Sequence, residues 1–239
     1  MKLSIIIPVF NEEKTIVEML KRVEKLQLSS LTKEIIIVND GSKDGTTEKI
    51  EKYLSQTKSS IKLYNRPKNN GKGAAVIFAI AKAKGEYIII QDADLEYDPD
   101  EIKKLLAVLK TKPNAIVYGT RLKRLPHFSK EESRMQFLIH YLGNKFLSLM
   151  TSVLYGQWIT DMETCYKLFP TKIAQNMILR AKGFEFEPEI TAKFMKQGHK
   201  IYEVSITTTP RGYEEGKKLH TVRDGIKALW TLGKYRFVE

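Results

Sequence analysis

Between Gly85 and Pro99 the chain reads Gly-Glu-Tyr-Ile-Ile-Ile-Gln-Asp-Ala-Asp-Leu-Glu-Tyr-Asp-Pro. An apolar run of extended character, Tyr87 to Ile90, leads straight into two carboxylates separated by one residue. Side chains alternate along an extended chain, so Asp92 and Asp94 point to the same side at the end of the strand. Two carboxylates in that place are poor core residues and good ligands for Mg²⁺ or Mn²⁺, ions that hold substrate phosphates rather than sit in cages built by protein alone. The segment therefore points to an enzyme that handles a nucleoside diphosphate. Two other readings fail on position. Asp92-x-Asp94-x-Glu96-x-Asp98 imitates a calcium loop, but Tyr97 stands where that loop needs glycine and Lys103 where it needs glutamate. Asp-x-Asp after a strand also marks phosphatases that form an aspartyl phosphate; there it follows the first strand, and here three strand-like runs come before it.

Two further strand ends carry polar groups. The first run closes as Ile7-Pro-Val-Phe-Asn-Glu-Glu13. A dinucleotide-binding fold would place a glycine-rich turn there; its absence argues against a dehydrogenase. The second closes as Val38-Asn-Asp-Gly-Ser42. Asp40 at that edge suits a ribose hydroxyl or a base N–H, and the same four residues suit an ordinary turn with an Asx cap. Both readings stand on the residues alone.

The elements that must position these groups alternate. Strand-like runs at Leu3–Ile7, Glu34–Val38, Ile61–Tyr64, Glu86–Ile90 and Ala115–Tyr118 are separated by helical patterns at Glu12–Leu26, Asp44–Leu54, Gly73–Ala83 and from Asp98 to about Lys110. Such alternation predicts βα units and a mostly parallel central sheet flanked by helices, an α/β fold. Asp98 with Pro99 and Glu101 gives the last of these helices a strong start. Ser129-Lys-Glu-Glu132 resembles a capping box and opens a long helix over 133–155. Apolar residues recur there at Met135, Ile139, Leu142, Phe146, Leu149 and Val153. One reading packs this stripe on the sheet; the other lays the helix among lipid headgroups. A strand at Tyr166–Phe169, a helix at Glu187–Lys196, a strand at Ile201–Thr207 and a basic helix at Asp224–Tyr235 follow. With no repeat and no linker, residues 1–239 read as one domain: a nucleotide-binding half to residue 120 and an acceptor-side half from 121.

Composition narrows the class. A hydrophobic content of 42% with 28% charged residues over 239 residues fits a soluble globular protein rather than a disordered one. Cys165 is the single cysteine, so an internal disulfide is impossible and a reducing cytoplasm is expected. The apolar start is too short for a signal peptide, and no uninterrupted apolar stretch reaches the roughly 18 residues of a membrane span. The formal net charge of +12 suits nucleic acid, an anionic membrane surface or a phosphate-rich substrate. No nucleic-acid-binding signature is present, so no nucleic-acid partner is expected.

Taken in order, Ser4-Ile-Ile-Ile-Pro-Val-Phe-Asn-Glu-Glu13, Val38-Asn-Asp-Gly-Ser42, Asn70-Gly-Lys-Gly-Ala74, Gln91-Asp-Ala-Asp-Leu-Glu-Tyr-Asp-Pro99, Gly119-Thr-Arg121, Thr160-Asp-Met-Glu-Thr-Cys-Tyr-Lys167 and Phe184-Glu-Phe-Glu-Pro-Glu189 resemble family-2 glycosyltransferases, and within them the branch of dolichyl-phosphate mannose and glucose synthases. The resemblance implies a Rossmann-like nucleotide-diphospho-sugar transferase fold of GT-A type. It implies that Pro8, Phe10 and Glu12 contact base and ribose, that Asp40 beside Val38 reads the base, and that Lys72, Asp92 and Ala93 lie along the nucleotide sugar. It implies Asp92, Asp94 and Glu96 as ligands of Mg²⁺ or Mn²⁺, with Asp92 also near ribose and sugar. Arg121, Arg211 and Lys217 would meet phosphates; the family often has Arg-x-x-Gly-Ser-Lys there, whereas here the spacing is longer and a lysine replaces the serine. Arg121 and Arg134 would orient an acceptor phosphate, with His140 and Lys145 as alternatives. Asp161 resembles the late aspartate that acts as general base where the acceptor is a hydroxyl.

The implied activity is inverting, metal-dependent transfer of a sugar from a GDP-mannose or UDP-glucose type donor to a dolichyl or undecaprenyl phosphate. The enzyme would sit peripherally on the cytoplasmic face of an anionic membrane. Transfer to a glycan or small-molecule hydroxyl, with Asp161 as base, is the rival enzyme reading. A binding protein that keeps the sheet without turnover is the rival of another class.

Overall fold

The computed structural model describes residues 1–28, 31–121, 134–209 and 221–238. Its centre is a seven-stranded sheet. The strands are β1 (Lys2–Val9), β2 (Thr32–Asn39), β3 (Ile61–Asn65), β4 (Tyr87–Ile90), β5 (Ile116–Thr120), β6 (Lys167–Pro170) and β7 (Ile201–Ser205). They lie in the order β3-β2-β1-β4-β6-β5-β7. All neighbours pair parallel except β6, which runs antiparallel to both β4 and β5. Register is set by apolar runs: Ile5, Ile6 and Ile7 of β1 face Ile35, Ile36 and Ile37 of β2, and Ile5 and Ile6 face Ile89 and Ile90 of β4. These residues are buried on both faces of the sheet, as strands covered by helices on each side must be.

The helices are α1 (Ile16–Lys25), α2 (Thr46–Gln56), α3 (Lys72–Lys82), α4 (Ile102–Leu109), α5 (Arg134–Tyr155), α6 (Thr171–Gln175), α7 (Phe186–Lys196) and α8 (Thr221–Phe237). In α1 the apolar positions Ile16, Met19, Leu20 and Val23 form one buried face, the spacing that burial of a single helical stripe requires. A 3-10 turn, Pro99–Glu101, leads into α4, and Asp98 caps it by accepting from the Asp100 amide at 3.0 Å.

The apolar stripe of the long helix faces away from the sheet. Ile139, Leu142, Phe146, Leu149 and Val153 are between 42% and 68% exposed. The opposite side carries the buried Leu147, Ser148, Thr151 and Ser152, and the helix packs on α8 and α7. Tyr155 donates to the Leu232 carbonyl at 2.7 Å across that contact. Met135 lies among residues whose side chains are outside the description. On α8, Ile226, Trp230, Phe237 and Val238 are exposed as well. No helix is long and apolar enough to cross a membrane among the described residues.

Candidate active site

From β1 the chain moves to β2 and β3 on one side, then returns to place β4 on the other side of β1. Strand order therefore reverses between β1 and β4. In open α/β sheets a crevice opens at such a reversal, outside the C-terminal ends of the strands. The end of β1, Pro8 to Phe10, and the end of β4, Gln91 to Asp94, border this crevice.

The β1 and β2 loops are laced together. Asn11 adopts a left-handed backbone with φ 48°. Its amide donates to Ser42 Oγ at 3.0 Å, and its side-chain oxygen accepts from the Lys43 amide at 2.8 Å. Glu12 is buried, and its carboxylate accepts from Thr15 Oγ1 at 2.9 Å. Val38 is fully buried inside β2, so any contact it makes with a nucleotide runs through its main chain. Asp40 is buried too. Its Oδ2 accepts from the amides of Asn70 at 3.0 Å and Gly71 at 2.7 Å, and its Oδ1 lies 2.9 Å from Arg66 Nη1. Asp40 thus folds the 66–71 loop back over the strand ends. Gly41 is required there twice over: its φ is +70°, and a Cβ would come within 2.6 Å of the Lys68 carbonyl carbon. Beside this loop a cleft of about 490 Å³ is lined by Asn39, Ser42, Lys43, Asn65, Arg66 and Lys68 among others.

The β4 end is the acidic edge. Leu95 has φ 67°, a strained conformation for a branched side chain of the kind that clusters at functional turns. Glu96 donates its amide to Asp94 Oδ1 at 3.1 Å. Lys72, the first residue of α3, reaches Asp92 at 2.8 Å on Oδ1 and 3.0 Å on Oδ2. Burial disfavours the charged Lys72, but Asp92, Cys165 and Glu187 outweigh it and hold the ammonium well above its usual range. Asp92, expected as a metal ligand, is thus paired with Lys72, and Asp94 and Glu96 are the other two carboxylates of the turn. No group of three acidic, histidine or cysteine side chains close enough to hold a metal is found among the described residues. Two carboxylates still fit Mg²⁺ or Mn²⁺, which bind through one or two carboxylates together with water and substrate phosphates. Ala93 is buried at the bottom of the turn.

Behind the acidic edge lies a buried ionic network that the motifs do not spell out. Lys72 lies 3.6 Å from Glu187, and Glu187 lies 2.5 Å from Lys167. Lys167 is fully buried within β6, donates to the Met162 carbonyl at 2.9 Å, and sits over the Tyr118 ring. Next to it, Arg121 and Asp161 form a bidentate pair. Arg121 Nε donates to Oδ2 and Nη2 to Oδ1, each at 2.8 Å, and the Arg121 amide adds a bond to Oδ2 at 2.9 Å. Asp161 is fully buried; burial alone would raise its pKa, but Arg121 prevails and holds it below the ordinary range. Glu163 lies in the same loop. Its Oε1 is buried without a hydrogen-bond partner, and burial pushes its carboxyl up to about 7. Cys165 completes the wall: it is buried, its amide donates to Tyr97 Oη at 3.1 Å, and burial raises its thiol well above the usual range.

The expected residues thus divide. Pro8, Phe10, Glu12, Asp40, Lys72, Asp92, Asp94, Glu96, Arg121 and Asp161 lie at strand ends, in the loops that join the elements or, for Lys72, in a first helical turn. Arg134 begins α5, but its side chain lies outside the description. Arg211 and Lys217 lie outside the described residues; the described chain before them ends beside the acidic turn, where the Thr209 amide donates to the Glu96 carbonyl at 2.9 Å. Arg66, Glu163, Lys167 and Glu187 had no assigned role. For Lys167 a signal existed: a lysine inside the otherwise apolar run Tyr166–Pro170. For Arg66 none did beyond a cation after a strand.

A model of the family described as "Glycosyl transferase family 2" matches residues 4–180. An uncharacterized protein of Methanocaldococcus jannaschii is 29% identical over 98% of this chain and 99% of its own length. A dolichyl-phosphate beta-glucosyltransferase of Trichomonas vaginalis is 33% identical over 85% of this chain, and a dolichol-phosphate mannosyltransferase of Pyrococcus furiosus 28% identical over 98%. The matches to these last two span 64% of their lengths. Among solved structures, glucosyl-3-phosphoglycerate synthase from Mycobacterium tuberculosis, crystallised with Mn²⁺, uridine diphosphate and phosphoglyceric acid, superposes with a TM-score of 0.72 at 17% identity, covering 100% of this chain and 79% of that one. That likeness bears on the fold, which is of GT-A type.

Proposed function

Since the chain belongs to glycosyl transferase family 2, we propose that it moves a sugar from a nucleotide sugar to a polyprenyl phosphate, with inversion at the anomeric carbon. The observation that carries this reading is the Asp92–Asp94 turn at the strand-order reversal, with Lys72 of α3 joined to it. Names of the relatives support the acceptor and leave glucose and mannose both open as the sugar.

The nucleoside end belongs at the 66–71 loop, whose shape Asp40 maintains. The diphosphate belongs beside the first turn of α3, where the Lys72 ammonium and the positive end of the helix favour anions. Asp94 and Glu96 would hold a divalent ion, which supplies Lewis-acid neutralisation of the charge growing on the leaving diphosphate. Arg121 is held rigidly by Asp161 and keeps Nη1 without a partner among the described residues. That nitrogen suits an acceptor phosphate, and its fixed fork needs little reorganisation. Asp161 acts here as the anchor of Arg121. The exposed apolar faces of α5 and α8 suit a lipid surface next to which the acceptor's chain lies.

Radiolabelled transfer from GDP- and UDP-sugars, with polyprenyl phosphate, with a sugar hydroxyl acceptor or with neither, tests the reading. Product in the polyprenyl-phosphate arm alone is expected; product only with the hydroxyl overturns the acceptor, and none anywhere overturns the activity. Calorimetric titration of GDP and UDP should show binding that requires Mn²⁺ and that Asp94→Ala abolishes. Equal affinity in the presence of chelator would remove the ion from the site.

A further inference from the structure

The ammonium of Lys72 lies on both oxygens of Asp92, 2.8 Å from Oδ1 and 3.0 Å from Oδ2. Asp-x-Asp at this strand end suits a divalent ion, yet the first of its two carboxylates is engaged by a lysine. The pair is not sealed: the Lys72 side chain is 18% exposed and that of Asp92 19%. Glu187 is the other carboxylate within ion-pair distance of Lys72 among the described residues. It lies farther off, at 3.6 Å, and has Lys167 at 2.5 Å. The backbone that carries Lys72 is pinned on both sides. Asp40 Oδ2 accepts from the Gly71 amide at 2.7 Å, the Ala74 amide donates to the Lys182 carbonyl at 3.0 Å, and a Cβ on Gly73 would come within 2.8 Å of the Ala181 carbonyl oxygen. Movement at this point is left to the Lys72 side chain.

We propose that Lys72 is a positioning residue that exchanges partners. Before a donor binds it holds Asp92; with the donor bound it passes to the diphosphate and releases Asp92 to complete, with Asp94 and Glu96, the carboxylate set for a divalent ion. The inference rests on the nucleotide-sugar reading above. The exchange makes and breaks ion pairs only, and no covalent bond changes.

The charges favour exchange with both ligands present. Asp92 and Glu187 face Lys72 and Lys167, so two carboxylates and two ammonium groups cancel. A divalent ion arriving alone meets a carboxylate already neutralised, with an ammonium beside it that repels the ion. A diphosphate arriving alone draws Lys72 away and leaves Asp92 without that cation, which is costly for a largely buried carboxylate. Glu187 keeps Lys167 and needs no replacement. When ion and diphosphate bind together, each group finds a partner of opposite charge, and the pair is broken once for two ligands. One two-state side chain thereby couples the two binding events. Burial works against the charged form of Lys72, but Asp92, Cys165 and Glu187 keep it protonated, so it reaches the phosphates as a cation.

The test measures the Mn²⁺ dissociation constant, from the paramagnetic resonance of the free ion, with and without saturating GDP or UDP. The ratio of the two constants is the coupling factor. Lys72→Met should bind Mn²⁺ alone more tightly than wild type, bind nucleotide more weakly, and lower the coupling factor by about tenfold, within the usual span of such couplings. Direct contact between ion and phosphates survives in the variant, so some coupling remains. Tighter Mn²⁺ binding does not decide the matter, because removing any nearby cation has that effect. The coupling factor does: a lysine that stays in place changes ion affinity equally with and without nucleotide and leaves the ratio as it was. Asp92→Asn removes the other half of the pair and should lower the ratio to the same extent, with the double variant no lower than either single one.

Circular dichroism checks folding of each variant. Asp92→Asn leaves Lys72 beside Glu187, and it carries the test should the methionine variant not fold. An unchanged coupling factor in a folded variant, or losses that add in the double variant, overturns the exchange. If wild type binds neither GDP nor UDP with Mn²⁺ present, the nucleotide-sugar reading has failed and the exchange falls with it. If it binds one of them and the ratio is indifferent to Lys72 and Asp92, the exchange alone has failed.

Discussion

Glu34 shows what a buried carboxylate contributes when its partners are complete. It starts the buried part of β2, on the side of the sheet away from the crevice, and accepts from Ser4 Oγ at 2.7 Å, from the Lys84 amide at 2.6 Å, and from Lys2 and Lys62 at 3.1 Å each. Burial would raise its pKa, but these donors prevail and bring it down to about 2. A depressed pKa stabilises the fold above the unfolded value of 4.5, and the contribution disappears as pH falls through about 2. Glu34→Gln should therefore destabilise the fold at pH 7 by up to about 3 kcal/mol and lower Tm by roughly 2–4 °C for each kcal/mol, with the gap to wild type closing between pH 4.5 and pH 2. Thermal melts across that range check it; a gap independent of pH would mean that packing, not charge, is lost. At this scale the sequence disclosed the strand-end groups, since Asp40, Asp92, Asp94 and Arg121 each close an apolar run. It did not disclose their partners. Asp40 meets Arg66 and Asp92 meets Lys72 only because separate strand ends converge in space, and no local pattern encodes such pairing. Glu163 was visible as one residue of a motif, while its lack of a partner is a property of the folded loop.

The helix α5 illustrates what periodicity can and cannot decide. The recurrence of Ile139, Leu142, Phe146, Leu149 and Val153 correctly indicated a helix, but a stripe looks the same whether it meets a sheet or lipid. The packing is done by the opposite face: Ser148, Thr151 and Ser152 are small and satisfy their hydroxyls on carbonyls, Ser148 and Thr151 at Asn144 and Leu147, which lets α8 and α7 approach closely. The apolar stripe is thereby left outside. Leu142→Glu with Leu149→Glu should keep the fold, because both positions are exposed, and should reduce flotation with anionic liposomes severalfold at low salt; circular dichroism and flotation measure the two effects. Loss of folding in the double variant, with no liposome binding by wild type, would contradict an interfacial face. Strand direction was similarly hidden. Alternation of strands and helices correctly suggested parallel pairing up to β5, yet β6 runs antiparallel. A four-residue strand reads alike in either direction, and the long connection through α5 is what brings it in reversed. The five-residue helix α6 carries too little pattern to be recognised at all.

Across the whole molecule, the order of motifs anticipated the mostly parallel, helix-flanked sheet, whereas the strand order and the crevice at its reversal come from the fold. A formal net charge of +12 spread over the chain suits a protein that meets both a diphosphate and an anionic surface. Cys165 has a practical consequence of its own. It is the chain's single cysteine, and it is sealed behind Tyr97 and the β4 end. Thiolate is the reactive form, and burial makes it scarce here. Alkylation should therefore proceed only when the wall of the crevice swings open, at a rate set by the population of that open form. Mass spectrometry of the time course should show slow labelling that nucleotide sugar slows further, and labelling as fast as in unfolded chain would disprove the seal. With that time course, the native thiol would serve as a clock for the opening of the pocket, with no cysteine to be introduced.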